Sequence, residues 1–145
     1  MRRVLGLAFA TVCGLLSCGR NSTAKAVPSV DDMRQIEEET HLKFPASARV
    51  LMWDPGGRMD SYLRLKVEMA AADWPAFIAA SPFRAQPLAK EARASLGLDD
   101  GAWGPGTVAD LLKGQVWLPN ARSLNLGADL SRPDVVVVYV RWFET

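Results

Sequence analysis

The chain has little of the chemistry that thiols and imidazoles provide. Its 145 residues include two cysteines, Cys13 and Cys18, and one histidine, His41. Because both cysteines lie near the start, the rest of the chain offers no thiol for a disulfide, a zinc site or a nucleophile. No second histidine can share a metal with His41, and no serine or cysteine motif accompanies it. A surface or helix-end histidine is therefore favoured over a catalytic base.

An excess of charge and the common catalytic motifs are also missing. The 17 lysine and arginine residues nearly balance the 16 aspartate and glutamate residues. Since a nucleic-acid-binding domain typically carries a strongly basic face, we expect no nucleic-acid partner. The sequence lacks a serine elbow, a phosphate-binding glycine loop, a zinc-protease motif and a dinucleotide fingerprint. We expect no cofactor and no metal.

Two acidic segments test this expectation. Asp54–Asp60 combines carboxylates with glycines, but it lacks the alternating oxygen ligands and the closing glutamate of a calcium loop. In Asp99–Gly101 two acids precede a glycine, an arrangement found more often in a solvated turn than in a metal site. Turns are the favoured interpretation for both segments. Paired carboxylates can nevertheless act as acid and base in glycan hydrolysis. Asp99 and Asp100 therefore keep an envelope enzyme open as an alternative.

The first apolar run extends from Val4 to Leu16, behind Arg2 and Arg3. A basic start, an apolar core of about 7–15 residues and small residues at the cut are typical of a secretory signal. A membrane-spanning helix needs about 20 apolar residues. We therefore predict that residues 1–17 form a signal peptide that is removed. The run ends in Leu15-Leu16-Ser17-Cys18, which resembles the lipobox of bacterial lipoproteins.

This resemblance implies that Cys18 becomes the acylated first residue of the mature protein, with palmitate among its acyl chains. Stable anchoring takes more than one chain, a condition that lipoproteins of this kind fulfil. Gly19 follows the cysteine, and by analogy with enterobacterial sorting this favours the outer membrane over the inner one. A plain export signal cut after Ala24-Lys25-Ala26 remains an alternative.

The mature chain reads as a tether followed by one domain. Residues 18–30 hold the lipidated cysteine and a small, polar, patternless stretch typical of a flexible linker. Residues 31–145 then suffice for a single domain. With the signal removed, 15 basic residues face 16 acidic ones, so the mature charge is about −1.

Periodicity predicts the elements of that domain. A helix starts at Asp31-Asp32 and is ended by Phe44-Pro45. Arg49–Trp53 is predicted as a strand, and Tyr62–Met69 alternates fully between apolar and polar residues. Further elements follow from caps, prolines and apolar runs: a helix capped by Asp73 with Pro75 in its first turn, a helix over Pro87–Leu96 closed by Gly97, a helical turn from Thr107 to Gly114, and a hairpin of Ser123–Leu130 with Val135–Phe143.

These elements predict an α+β fold, with a single antiparallel sheet of about four strands and helices packed on one face. The final strand is apolar on both faces and should lie in the middle of the sheet. Phe44–Ala48, the strand–helix unit and this final strand are similar to small envelope lipoproteins of bacteria. That similarity spans about residues 44–143. It implies no particular activity and no site residues.

Surface candidates come from aromatic and charged side chains. Trp103 and Trp117 lie in irregular stretches, where aromatics often anchor partners, although both could cover the sheet as core residues instead. In the strand Tyr62–Met69, Tyr62 and Arg64 belong to an outward row that is either a solvated face or a docking surface.

Three functions follow. The favoured one is a membrane-anchored, non-enzymatic module that binds an envelope protein, since anchoring raises the local concentration of a partner. The alternatives are a carboxylate-based enzyme acting on glycan or peptidoglycan, and a carrier with a small-ligand pocket lined by tryptophans.

Overall fold

A computed structural model describes residues 27–56 and 62–144. Within these residues, two α-helices accompany five strands that form one open antiparallel sheet. The elements are α1 (Val30–Thr40), β1 (Arg49–Asp54), β2 (Tyr62–Ala70), α2 (Trp74–Ala79), β3 (Leu112–Leu118), β4 (Arg122–Asp129) and β5 (Val135–Glu144). The α+β class is confirmed, with one strand more than the sequence predicted. The predicted signal peptide, Cys18 and the tether up to residue 26 lie outside the described residues.

The sheet has the strand order β1-β2-β5-β4-β3, so β5 is central as predicted. The alternation in β2 places Leu63, Leu65, Val67 and Met69 in the core. We call this side of the sheet the helical face, because α1 and α2 pack there around sixteen buried residues that include Ile36 and Phe77. The predicted hairpin is also confirmed, since β4 and β5 pair antiparallel from Arg122–Glu144 to Asp129–Val137.

Helix α1 begins with a capping box. The Ser29 hydroxyl accepts a hydrogen bond from the Asp32 N–H, and the Asp32 carboxylate accepts one from the Ser29 N–H. These bonds satisfy two N–H groups that would otherwise have no helical partner. The helix ends at Thr40, earlier than Phe44-Pro45, because His41 takes a left-handed conformation with φ 56°. His41 is exposed at this helix end, as the sequence favoured.

The other side of the sheet, which we call the strap face, is not a solvated surface. Residues 89–111, here named the strap, cross it and bury a second apolar cluster of Leu96, Trp103, Leu111, Val137 and Tyr139. The prediction that β2 carries one wet face is therefore wrong in part. A segment without long regular elements covers the strap face, while the helices cover the opposite one.

The helix predicted over Pro87–Leu96 does not form. Ala89 instead pairs with Lys113 of β3 through two main-chain hydrogen bonds, with N···O distances of 2.9 and 3.0 Å. Leu96, within the strap, is buried against the sheet and is 6% exposed. An isolated helix of this length has marginal stability in water. Pairing with a sheet edge and burial of Leu96 therefore outweigh the helical propensity.

Two more local predictions are corrected. The turn from Thr107 to Gly114 is a 3₁₀ segment at Pro105–Thr107 followed by β3, the strand that the sequence did not reveal. Gly114 lies inside β3, where an added Cβ would lie 3.1 Å from Cδ1 of Phe83. Asp73 does not cap α2 with its side chain, because its carboxylate accepts the hydroxyl of Ser47 instead.

Candidate functional site

Trp103 is a core residue of the strap. Its side chain is 0% exposed, and its indole N–H donates to the carbonyl of Leu96 over 3.0 Å. Its ring meets Tyr139 edge-on, with centroids 5.4 Å apart and an interplanar angle of 83°. This burial contradicts the expectation of an exposed partner anchor at Trp103. The alternative prediction, that Trp103 covers the sheet as a core residue, is confirmed.

Arg64 fastens the strap to the sheet. Its Nε and Nη2 atoms donate to Oδ2 of Asp54 at 3.1 and 2.8 Å, and its Nη1 atom donates to Oδ1 of Asp100 at 2.6 Å. The hydroxyl of Tyr62 donates to the same Asp54 oxygen over 3.2 Å. The guanidinium also lies 5.8 Å from the ring centroid of Trp103. Tyr62 and Arg64 thus belong to an internal network, not to a free docking row.

The other polar residues of β2 are engaged as well. Lys66 donates to the carbonyls of Ala102 and Trp103 at 3.0 and 3.1 Å. Glu68 accepts from Arg49 at 2.8 Å and from Arg132 at 2.6 Å. The whole outward row of β2 therefore holds neighbouring segments in place.

The electrostatics of this network favour ionised carboxylates. Partial burial alone would raise the pKa of Asp54, but hydrogen bonds from Arg64, Gly56 and Tyr62 and the arginine charge together lower it. Hydrogen bonds from Arg49 and Arg132 lower the pKa of Glu68. A general acid needs a raised pKa, and these shifts have the opposite sign.

Trp117 is the sequence candidate that remains at the surface. Its side chain is 64% exposed on edge strand β3. It lies on the strap face opposite Ser123, whose hydroxyl accepts a hydrogen bond from Gln115 over 2.8 Å. Asn125, in the same row, is fully buried, and its Oδ1 atom has no hydrogen-bond partner among the described residues.

A cavity of about 470 Å³ opens between α1 and the end of the sheet. We call it the α1 cavity. Its walls carry carboxylates, aromatic rings and one guanidinium: Asp32, Glu39, Trp53, Tyr62, Arg122, Trp142 and Glu144. The guanidinium of Arg122 lies 5.5 Å from the ring centroid of Trp142, and its Nε atom lies 3.3 Å from Oε1 of Glu144.

Sequence reasoning missed the α1 cavity. Trp142, which lines the cavity, is a core residue at 6% exposure. The tertiary fold brings Glu39 of α1 close to Arg122 and Glu144, which lie at the ends of two strands. No spacing along the chain indicates it.

A second cavity, of about 480 Å³, lies beside the strap. Its apolar wall includes Leu96, Val108 and Leu111, and its rim includes Lys90 and Asp99. Asp99 and Asp100 therefore differ in environment, because Asp100 is paired with Arg64.

No protein-family model, curated protein or solved structure matches this chain. Across residues 27–56 and 62–144, no three His, Cys, Asp or Glu side chains gather as metal ligands. No helix in that part of the chain has the length and apolarity to span a membrane.

Proposed function

We propose that this chain is a lipid-anchored protein of the bacterial envelope whose domain binds another protein and catalyses no reaction. The anchor is proposed at Cys18, on the strength of the lipobox-like Leu15–Cys18. The binding surface is proposed around Trp117. Its 64% exposed side chain on an edge strand is the observation that supports binding.

The exposed indole of Trp117 places a large apolar surface in contact with water. Burying such a ring against a partner gives one of the largest single contributions at protein interfaces. The strand that carries it also has an open side. Lys113 exchanges both hydrogen bonds of that side with Ala89, which shows that the β3 edge accepts an extended, antiparallel segment. By strand periodicity, the N–H and C=O groups of Trp117 point to the same side as those of Lys113.

The two edges of the sheet differ. Strand β1 has an irregularity between Val50 and Met52, a feature that blunts an edge against further pairing. Strand β3 pairs with β4 in unbroken register from Leu112 to Leu118. An extended partner segment beside Trp117 is therefore the binding mode that this geometry favours.

The enzyme alternative receives less support. It relies on Asp99 and Asp100 acting as a pair, yet Arg64 holds Asp100 in an ion pair that fastens the strap. The ion pair of Asp100 with Arg64 is explained by its role in holding the strap against the sheet.

The surface around Trp117 is tested by site-specific photo-crosslinking in envelope membranes. A benzophenone side chain replaces either Trp117 or Leu98, which is 84% exposed on the strap and serves as the control. We expect a discrete protein adduct from position 117 and none from position 98. With the captured partner purified, Trp117→Ala should weaken binding by about 30-fold, as for a tryptophan at an interface centre. Equal adducts from both positions, or unchanged affinity, would contradict the proposal.

A further inference from the structure

We infer that the cavity beside the strap, here called the strap cavity, binds a short peptide that has free termini and an apolar side chain. The site goes beyond the proposed function, because its lining does not include Trp117. The inference depends on the apolar wall of the cavity and on two side chains of opposite charge, Lys113 and Asp99. Neither of them has a side-chain partner among the described residues.

The strap cavity has the size and the apolar wall of a small-molecule site. Its volume of about 480 Å³ lies within the range of about 300–1,000 Å³ that is typical of such sites. Leu96 and Leu111, which are 6% and 8% exposed, line it together with the buried Pro105 and the half-buried Val108. An added Cβ at Gly127 of β4 would lie 2.7 Å from Leu96, so this wall rests directly on the sheet. An apolar side chain of a ligand would be buried against it.

Lys113 places a positive charge on the β3 side of the cavity. Its side chain is half-buried and makes neither a hydrogen bond nor an ion pair with any described residue. The other lysine of the lining, Lys90, is different, because the carboxylate of Asp110 binds it over 2.6 Å. A carboxylate on a ligand would pair with Lys113, and partial burial makes such a pair stronger than one in open water.

Asp99 places a negative charge on the side of the cavity nearer β5. An added Cβ at Gly106 would lie 2.6 Å from its Oδ2 atom, so the carboxylate rests on the backbone of the strap. Burial chiefly raises the pKa of Tyr139 in β5, and the charges of Asp129 and Asp99 raise it further, so the charge of Asp99 reaches this tyrosine. No described residue donates a hydrogen bond to Asp99. An ammonium group on a ligand would pair with it.

The separation of the two charges indicates the length of the ligand. Lys113 pairs with Gly127 of β4, which pairs with Tyr139 of β5. Neighbouring strands are about 4.8 Å apart, so about 10 Å separate Lys113 from the strand beside Asp99. An extended chain spans about 3.3–3.6 Å per residue, so a peptide of about two or three residues can reach both charges. A single amino acid carries both charges on one carbon atom and is too short.

The test follows the backbone amide resonances of the ¹⁵N-labelled full chain in detergent micelles. The probe is the tripeptide Gly-Leu-Gly with free termini. Its matched controls are the N-acetylated peptide, which has no ammonium group, and the peptide amide, which has no carboxylate. We expect Gly-Leu-Gly to shift the amides of Gly106 and Leu111 in a saturable way. Each control should bind about fivefold more weakly, because it lacks one ion pair.

Two charge variants assign each terminus of the peptide to its partner. With Lys113→Gln, the free peptide and its amide should bind equally, because the carboxylate has lost its partner. With Asp99→Asn, the free peptide and its N-acetylated form should bind equally. Lys43→Gln and Glu38→Gln, at exposed positions away from the strap, make the same changes in net charge and should leave all affinities unchanged.

Four results would overturn the inference: equal binding of the three peptides to the unmodified protein, differences that persist in both variants, shifts confined to residues outside the strap cavity, or binding of free leucine as tight as that of Gly-Leu-Gly. The peptide should still bind when Trp117 is replaced by alanine. Failure of the partner surface at Trp117 is thus distinguishable from failure of the strap cavity.

Discussion

Two tryptophans that look alike in the sequence have opposite environments in the fold. Trp103 lies in a glycine- and proline-rich stretch, yet it is 0% exposed and hydrogen-bonded to Leu96. Trp117 lies in a regular strand, yet it is 64% exposed. The distinction depends on which surface the strap covers. The sequence around either residue does not contain that information.

This difference predicts different stabilities for two alanine variants. Trp103→Ala removes the largest buried side chain of the strap cluster, so it should lower the free energy of unfolding by about 3–5 kcal/mol. Trp117→Ala should change it by less than about 1 kcal/mol, because little apolar burial is lost. Urea unfolding followed by circular dichroism measures both values. Similar losses in the two variants would contradict the assignment of Trp103 to the core.

Asp54 makes stability depend on pH. Its pKa is lower in the folded protein than the ordinary value of 3.8, mainly because Arg64 and neighbouring donors outweigh the effect of burial. A lowered folded pKa adds stability above the unfolded value, and this contribution is lost as the pH falls through the folded pKa. The free energy of unfolding should therefore drop below about pH 4. Asp54→Asn should flatten that drop, and parallel curves for the two proteins would contradict the prediction.

At the scale of elements, the predictions that rest on alternating apolar and polar residues were the accurate ones. Strand β2 and the β4–β5 hairpin were predicted nearly to the residue, because apolar periodicity and the Ser131–Asp134 turn are local signals. Strand β3 was missed because Gly114 resembles a helix stop. A side chain has no room at this position, because an added Cβ would lie 2.5 Å from Cδ2 of Leu88 and 3.1 Å from Cδ1 of Phe83. Only the first part of the strap was predicted as a helix, over Pro87–Leu96, because the pairing of Ala89 with Lys113 joins residues that are distant in sequence.

Gly127 illustrates how closely the strap approaches β4. An added Cβ at this position would lie 2.7 Å from Cδ1 of Leu96 and 3.3 Å from Cδ2 of Leu111. Gly127→Ala should therefore destabilise the protein by about 1–3 kcal/mol through overpacking. Leu96→Val should recover part of that loss in the double variant, because it removes the atom that clashes. Strict additivity of the two changes in a double-mutant cycle would show that the strap does not rest on Gly127.

At the scale of the whole molecule, the chain combines a predicted anchor with a domain whose proposed contact surface lies around Trp117. Trp117 and Cys18 were predicted from the sequence, and the roles given to both are proposals. The sequence did not indicate the α1 cavity, because that cavity is assembled from α1 and four strands, β1, β2, β4 and β5. The spacing of residues along the chain does not indicate which side chains meet in such a cavity.

The anchor is tested by the intact mass of the mature protein in the membrane fraction. We expect an acylated chain that begins at Cys18. The Cys18→Ala variant should lose the acyl mass and leave the membrane pellet, because one polar domain without acyl chains has little affinity for lipid. Gradient separation of the membranes should place the acylated protein in the outer membrane. An unmodified chain beginning at Val27 would contradict the anchor and support the plain export signal.

The strap has a consequence for how the molecule opens. The sheet separates the five-residue cluster under and within the strap from the sixteen-residue cluster of the helical face. The smaller cluster can therefore be exposed to solvent while the larger one stays intact. Regions with few buried contacts open at a lower free energy than the global unfolding reaction. We expect the amides of residues 89–111 to exchange with deuterium well before those of β5. Limited proteolysis should cut first within the strap and leave a folded, two-fragment protein. Local unfolding would then uncover Val137 and Tyr139 at the centre of the sheet.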